Sequence, residues 1–200
     1  MGEKNQTSQV KQVYLLRHGE TEWTLSGQHT GLTDIELTKN GLKEAKLLGK
    51  SLKKVHFDHV LCSPLMRVRQ TCRLVGYEKE ALIDKDLLEW NYGDYEGKTS
   101  IEIHKTNPNW TIFSQDPPNG EKAIEVGIRA DRIIEKILSL DGTVGVFSSG
   151  HFSRVLGARW IGLPVSAGQN LLLSTASKSI FGFEHGFQVI SLWNDTSYLK

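Results

Sequence analysis

The chain has 200 residues, 38% of them apolar and 24% charged, and a mean hydropathy of −0.32. That describes one domain with a sizeable core and excludes both a membrane-spanning and a disordered reading. Its 24 Lys and Arg stand against 23 Asp and Glu, a formal net charge of +1, so no global basic field exists to collect nucleic acid or an acidic lipid surface.

The opening stretch MGEKNQTSQVKQ is polar and lacks the apolar run of a secretory signal, and Gln6 stands where a myristoylation pattern after Gly2 needs Ser or Thr. Without export, the N-x-[ST] triplets at Asn5, Asn109 and Asn194 are chance matches. Cys62 and Cys72 are too few for a disulfide framework and too far apart for a zinc-type pair, which fits a reducing cytoplasm.

Val13 to Leu16 form a short apolar run ending at Arg17, the pattern of a buried strand. Thr38 is placed to cap a helix whose apolar face carries Leu42, Ala45, Leu48, Leu52 and Val55. His59 to Cys62 read as a second strand, Ser63-Pro64 as a helix start, and Met66 to Val75 as the helix. Residues 98–120, with three prolines among aromatic and polar residues, read as an irregular, lid-like excursion. Ile124, Ile128, Ile133, Ile134 and Ile137 outline another helix, followed by a strand at Val144 to Phe147 and a helix from about Phe152 to Trp160. Leu171 to Leu173, Ser179 to Phe183 and Val189 to Trp193 read as β segments, with a turn at Glu184-His185-Gly186. Alternating strands and helices predict an α/β fold, a mostly parallel central sheet between two helix layers, over a single domain spanning 1–200.

In such sheets, sites gather at the carboxyl ends of the strands. That edge would collect Arg17-His18-Gly19, the Ser63 to Arg67 segment, the region near Glu89, and Gly150-His151. Two guanidiniums can grip phosphate oxygens while helix starts add backbone donors. An imidazole with one nitrogen held and the other unprotonated is a competent nucleophile toward phosphorus. Competing patterns fail on spacing. Gly93 to Thr99 has three residues between its glycines where a Walker A loop has four, and Gly145 to Gly150 is one residue too long for a Gly-x-Ser-x-Gly elbow. His56, His59 and Cys62 lack a fourth metal ligand.

From about Val13 to about Trp193 the chain resembles the histidine phosphatase superfamily, with its phosphoglycerate mutase-like fold. The most specific portion is Leu16-Arg17-His18-Gly19-Glu20-Thr21-Glu22-Trp23, followed by Thr30-Gly31-Leu32-Thr33-Asp34. The resemblance implies that His18 is phosphorylated, that Arg17 and Arg67 clamp the phosphate, that Glu89 is the acid and base, and that His151 is the second histidine. A cationic His151 would join the arginines in supplying the charge, with no metal and no cofactor. Thr24, Gln28, Thr30, Gly31 and Tyr92 are the expected substrate contacts, and Lys122 could meet a second anionic group. Thr24 where cofactor-dependent mutases carry asparagine, together with an excursion free of arginine, looks more like the acid phosphatase and sedoheptulose-bisphosphatase-like branch. The expected partner is therefore a small phosphorylated substrate, with no nucleic acid, no membrane and the oligomeric state open. The alternatives are a phosphoglycerate mutase and a non-catalytic module that binds a phospho-ligand.

Overall fold

A computed structural model describes residues 10–200; the expectations about a signal, Gly2 and Asn5 lie outside the described residues. The strands are β1 (Val10–Arg17), β2 (His59–Cys62), β3 (Ala81–Ile83), β4 (Gly142–Ser148), β5 (Lys178–Glu184) and β6 (Phe187–Asp195), and the helices are α1 (Glu22–Ser26), α2 (Lys39–Ser51), α3 (Met66–Val75), α4 (Ser100–His104), α5 (Ala123–Leu138) and α6 (Gly150–Trp160). They form one mostly parallel sheet in the order β3-β2-β4-β1-β5-β6, in which only the β1–β5 and β5–β6 pairs are antiparallel.

Alternation along the strands builds two cores. Val13, Leu15, Leu61, Val144 and Val146 point to one face with Ile133, Ile137 and Leu156 of α5 and α6. Leu16, Val60, Cys62 and Phe147 point to the other with Leu48, Val68 and Cys72 of α2 and α3. Because successive side chains on a strand face opposite ways, three short apolar runs serve both layers at once.

Several expectations need correction. Thr38 does cap α2, its side chain accepting from Gly41 N, but that helix ends at Ser51, before Val55. Ser63-Pro64 does not start α3. Its first residue is Met66, whose N–H donates to the Asp34 carboxylate at 2.6 Å, so the cap comes from a distant loop. Leu171 to Leu173 is not a strand, because it follows a 3-10 turn over Val165–Asn170 and lies outside the sheet. The excursion holds a five-residue helix, α4, closed by a capping box between Thr99 and Glu102. It is anchored by the buried Ile103, Trp110, Ile112 and Phe113.

Candidate active site

The parallel register sets Arg17 opposite Ser148 and Cys62 opposite Phe147. Three strands thus stop at one level, and His18, Ser63 and the start of α6 emerge together. His18 is buried, and its Nδ1 lies 2.7 Å from the Gly19 carbonyl oxygen. A carbonyl can only accept, so Nδ1 carries the ring proton and Nε2 keeps its lone pair. Burial, then Arg67 and Arg17, hold this imidazole well below its ordinary value of 6.5, which keeps it neutral. Gly19 is required by space, since a Cβ there would stand 2.5 Å from the Gly41 carbonyl oxygen. Its N–H donates to Thr71 Oγ1 at 3.1 Å, and that hydroxyl donates to the Arg67 carbonyl at 2.8 Å, tying the His18 loop to α3.

The arginines divide into two groups. Arg17 donates from Nη1 to the Leu173 carbonyl. Arg67 is wholly buried and donates to the carbonyls of Thr33 (3.0 Å), Thr30 (3.1 Å) and Gly31 (2.8 Å). Arg154 donates to the carbonyls of Gly168 and Gln169, both at 2.9 Å, with Cζ 4.6 Å from the Phe113 ring centroid. Such anchors orient a guanidinium without neutralising it. Arg69, Arg73, Arg129, Arg132 and Arg159 each pair instead with a carboxylate. Among the described residues, then, the arginines lacking a carboxylate partner are the three whose charges press on His18 and His151. Nε of Arg17 and of Arg67 is also buried without any protein acceptor. Buried, uncompensated donors of this kind suit an oxyanion.

Glu89 caps α6 from outside it. Its Oε1 accepts from the N–H groups of Trp90 (2.9 Å) and Phe152 (2.7 Å), and its Oε2 accepts from His151 N (2.9 Å). Tyr92 Oη and His151 Nδ1 are 2.5 Å apart. Burial and Glu89 keep the phenol protonated, well above its ordinary value of 10. Its O–H therefore donates to Nδ1, and the His151 proton sits on Nε2. Burial, then Arg154, His29 and Arg17, hold His151 well below 6.5, so the ring is neutral in the free protein and not the cation that the sequence suggested.

A cavity of about 210 Å³ lies over this cluster and is lined by Arg17, His18, Thr24, Gln28, Thr30, Glu89, Tyr92 and His151 among others. Three candidates are not on its wall. Arg67 is fully buried and absent from the lining, but its charge bears on His18. Gly31 supports Arg67 with its carbonyl and donates its N–H to Glu96 Oε1 at 2.8 Å. Lys122 sits exposed at the N-cap of α5 and does not reach the cavity. The Thr24 hydroxyl is committed to a capping box with Thr21.

A second cavity of about 460 Å³ shares His29, His151 and Arg154 with the first and is walled by His104, Trp110 and Phe113 from the excursion. Arg154, common to both cavities, is not among the residues that the sequence motifs point to. Its available signal was a cation three residues after His151, on the same face of the first turn of α6.

The family model of the histidine phosphatase superfamily (branch 1) matches residues 13–196. An acid phosphatase of Mycobacterium tuberculosis is 38% identical over 190 residues, 93% of either chain. The sedoheptulose 1,7-bisphosphatase of Saccharomyces cerevisiae is 36% identical over 184 residues, 76% of this chain and 68% of its own. A solved structure from a Mycobacterium tuberculosis open reading frame superposes with a TM-score of 0.86 at 37% identity, covering 92% of this chain and 97% of that one. On strand order, site geometry and kinship together, the chain belongs to the histidine phosphatase superfamily, branch 1.

Proposed function

We propose that this histidine phosphatase hydrolyses a phosphomonoester of a small metabolite through a phosphohistidine at His18. The observation that carries this reading is the neutral His18, its Nε2 free, beside guanidiniums whose charge no carboxylate cancels. His18 Nε2 bonds to phosphorus as the P–O bond to the leaving group breaks, and the departing oxygen takes a proton from Glu89. Water then attacks phosphorus, the N–P bond breaks, the water proton returns to Glu89, and inorganic phosphate leaves. Glu89 is suited to both transfers because it is the carboxyl on the wall of this cavity among the described residues. Arg17 and Arg67 stabilise the charge on the phosphoryl oxygens, the task that a metal ion performs elsewhere.

Thr30 and Gln28 flank the phosphoryl position, Tyr92 packs with His29 on the leaving-group side, and residues 98–122 act as a lid-like wall whose Trp110 and Phe113 bound the leaving group. The names of the relatives support a sugar phosphate or a similar small ester. Two free, buried cysteines support a cytoplasmic location; among the described residues no helix is long and apolar enough to cross a membrane.

Labelling with a phosphate donor under alkaline quench, which preserves phosphohistidine, is expected to mark His18 and to fail in His18→Ala. An unlabelled wild type would remove the mechanism. Faster isomerisation of a phosphoglycerate than release of phosphate would make the protein a mutase, and binding without turnover would make it a module.

A further inference from the structure

We infer that Arg129, clamped to Glu121 outside the cavity, is a positioning residue for Glu89. This inference rests on the reading of Glu89 as the acid that protonates the leaving group. Arg129 Nε and Nη2 donate to the two carboxylate oxygens of Glu121 at 2.6 and 2.9 Å. Its Nη1 donates to the carbonyls of Asp86 (2.6 Å) and Leu88 (3.0 Å), on the amino side of Glu89. Glu121 takes hold of the other side. Its carbonyl accepts from Trp90 Nε1 at 2.7 Å, its N–H donates to the Asn91 carbonyl at 2.9 Å, and its Oε2 accepts from Asn91 N at 3.3 Å. The backbone is thus pinned at 86, 88 and 91 by a single ion pair, with Glu89 between the pins.

The same guanidinium lies over Phe152, Cζ 4.6 Å from the ring centroid, and Phe152 N–H holds Glu89 Oε1 at 2.7 Å. Arg129 therefore fixes both the chain that carries the carboxyl and the helix start that receives it. The pair is mostly buried, its side chains 13% and 16% exposed, where a bidentate arginine–carboxylate bond is least disturbed by water. A further surface cleft, of about 570 Å³, is lined by Glu89, Glu121 and Arg129 and shares only Glu89 with the cavity over His18. Glu89 thus borders both cavities, and the clamp holds the segment that carries it in place. A lysine at 129 could satisfy one of these partners but not the planar set.

The test compares kcat/KM for an alkyl phosphate, whose alkoxide needs a proton, with that for p-nitrophenyl phosphate, whose phenolate does not. Because kcat/KM reports steps only through P–O cleavage, the later hydrolysis of the phosphoenzyme does not enter. Glu89→Gln should lose about 10²-fold or more on the alkyl ester and far less on the aryl ester. Arg129→Met, which keeps the packing over Phe152, should lose about 10-fold on the alkyl ester and less than about 3-fold on the aryl ester, since small misplacement of a catalytic group is costly. Arg129→Lys should recover part of that loss, and Arg129→Met should cost nothing further in the Glu89→Gln background.

If Glu89→Gln shows the leaving-group dependence and Arg129→Met slows both esters equally, the positioning inference is wrong and the acid assignment stands. If Glu89→Gln slows both equally, the acid assignment itself is wrong. Should Arg129→Met not fold, Glu121→Gln, which breaks the same bidentate pair, carries the comparison under the same expectations.

Discussion

The two ends of the site are built on different principles. The phosphoryl end stands on strand termini and is held almost entirely by backbone, with His18 fixed by the Gly19 carbonyl and Arg67 by three carbonyls. The leaving-group end is a set of side chains on one another: His29 lies 4.8 Å from the Tyr92 ring and 5.3 Å from that of Trp110, and Phe113 packs against His151 at 5.4 Å. Backbone anchors place charge with little freedom, as in-line phosphoryl transfer needs. Aromatic packing sets shape, which can be altered without touching the chemistry. Under the proposed function, the general step and the particular substrate fall to separate parts of one fold.

Substitutions should separate the two ends, beginning with the largest effect. His18→Ala is expected to lose on the order of 10⁴-fold or more in kcat, as removal of a nucleophile does, with phosphate release as the readout; substantial residual turnover would contradict the contrast. Arg67→Ala should cost about 10²-fold in kcat, because it removes charge that acts on the transition state. Near-normal activity there would mean that the carbonyl-anchored arginine is only structural. Arg154→Ala should act chiefly on KM, by roughly tenfold, as expected for one charged hydrogen bond to the bound substrate. An equal fall in kcat would move Arg154 to the phosphoryl end.

The smallest expected effect is on stability. Burial presses His18, His29 and His151 below 6.5, so below that pH the unfolded chain binds protons that the folded chain refuses. Their contribution is complete above about pH 6.5 and is lost as pH falls from there through the folded-state values. The melting temperature should therefore be lower at pH 5 than at pH 7.5, and replacing His151 by Asn should reduce the difference. The charge supply from arginine also predicts activity unchanged by EDTA; loss on chelation would restore a metal to the mechanism.

Much of the architecture was legible because its signals are local. The apolar run before Arg17 and the Thr38 cap depend on neighbours within a few residues, and both occur in the structure close to where the pattern puts them. β3 escaped notice because it has three residues, two of them exposed, and so carries no burial pattern. The convergence of Arg17, His18 and the start of α6 could be anticipated from the rule for strand ends. Lys122 is absent from the wall of the cavity over His18, because nearness in sequence to the excursion does not decide which way a helix cap faces.

The amino-acid sequence alone determined the alternation of strands and helices, the edge at which chemistry-bearing residues collect, and the tautomer-setting His18-Gly19 step, since each arises from periodicity or from adjacent residues. Only the tertiary structure decided how the helices at the site are capped, because Asp34 reaches α3 and Glu89 reaches α6 across long stretches of chain. It also decided which arginines stay available. All eight carry the same charge in the sequence, and whether a carbonyl or a carboxylate meets each one depends on packing between distant segments.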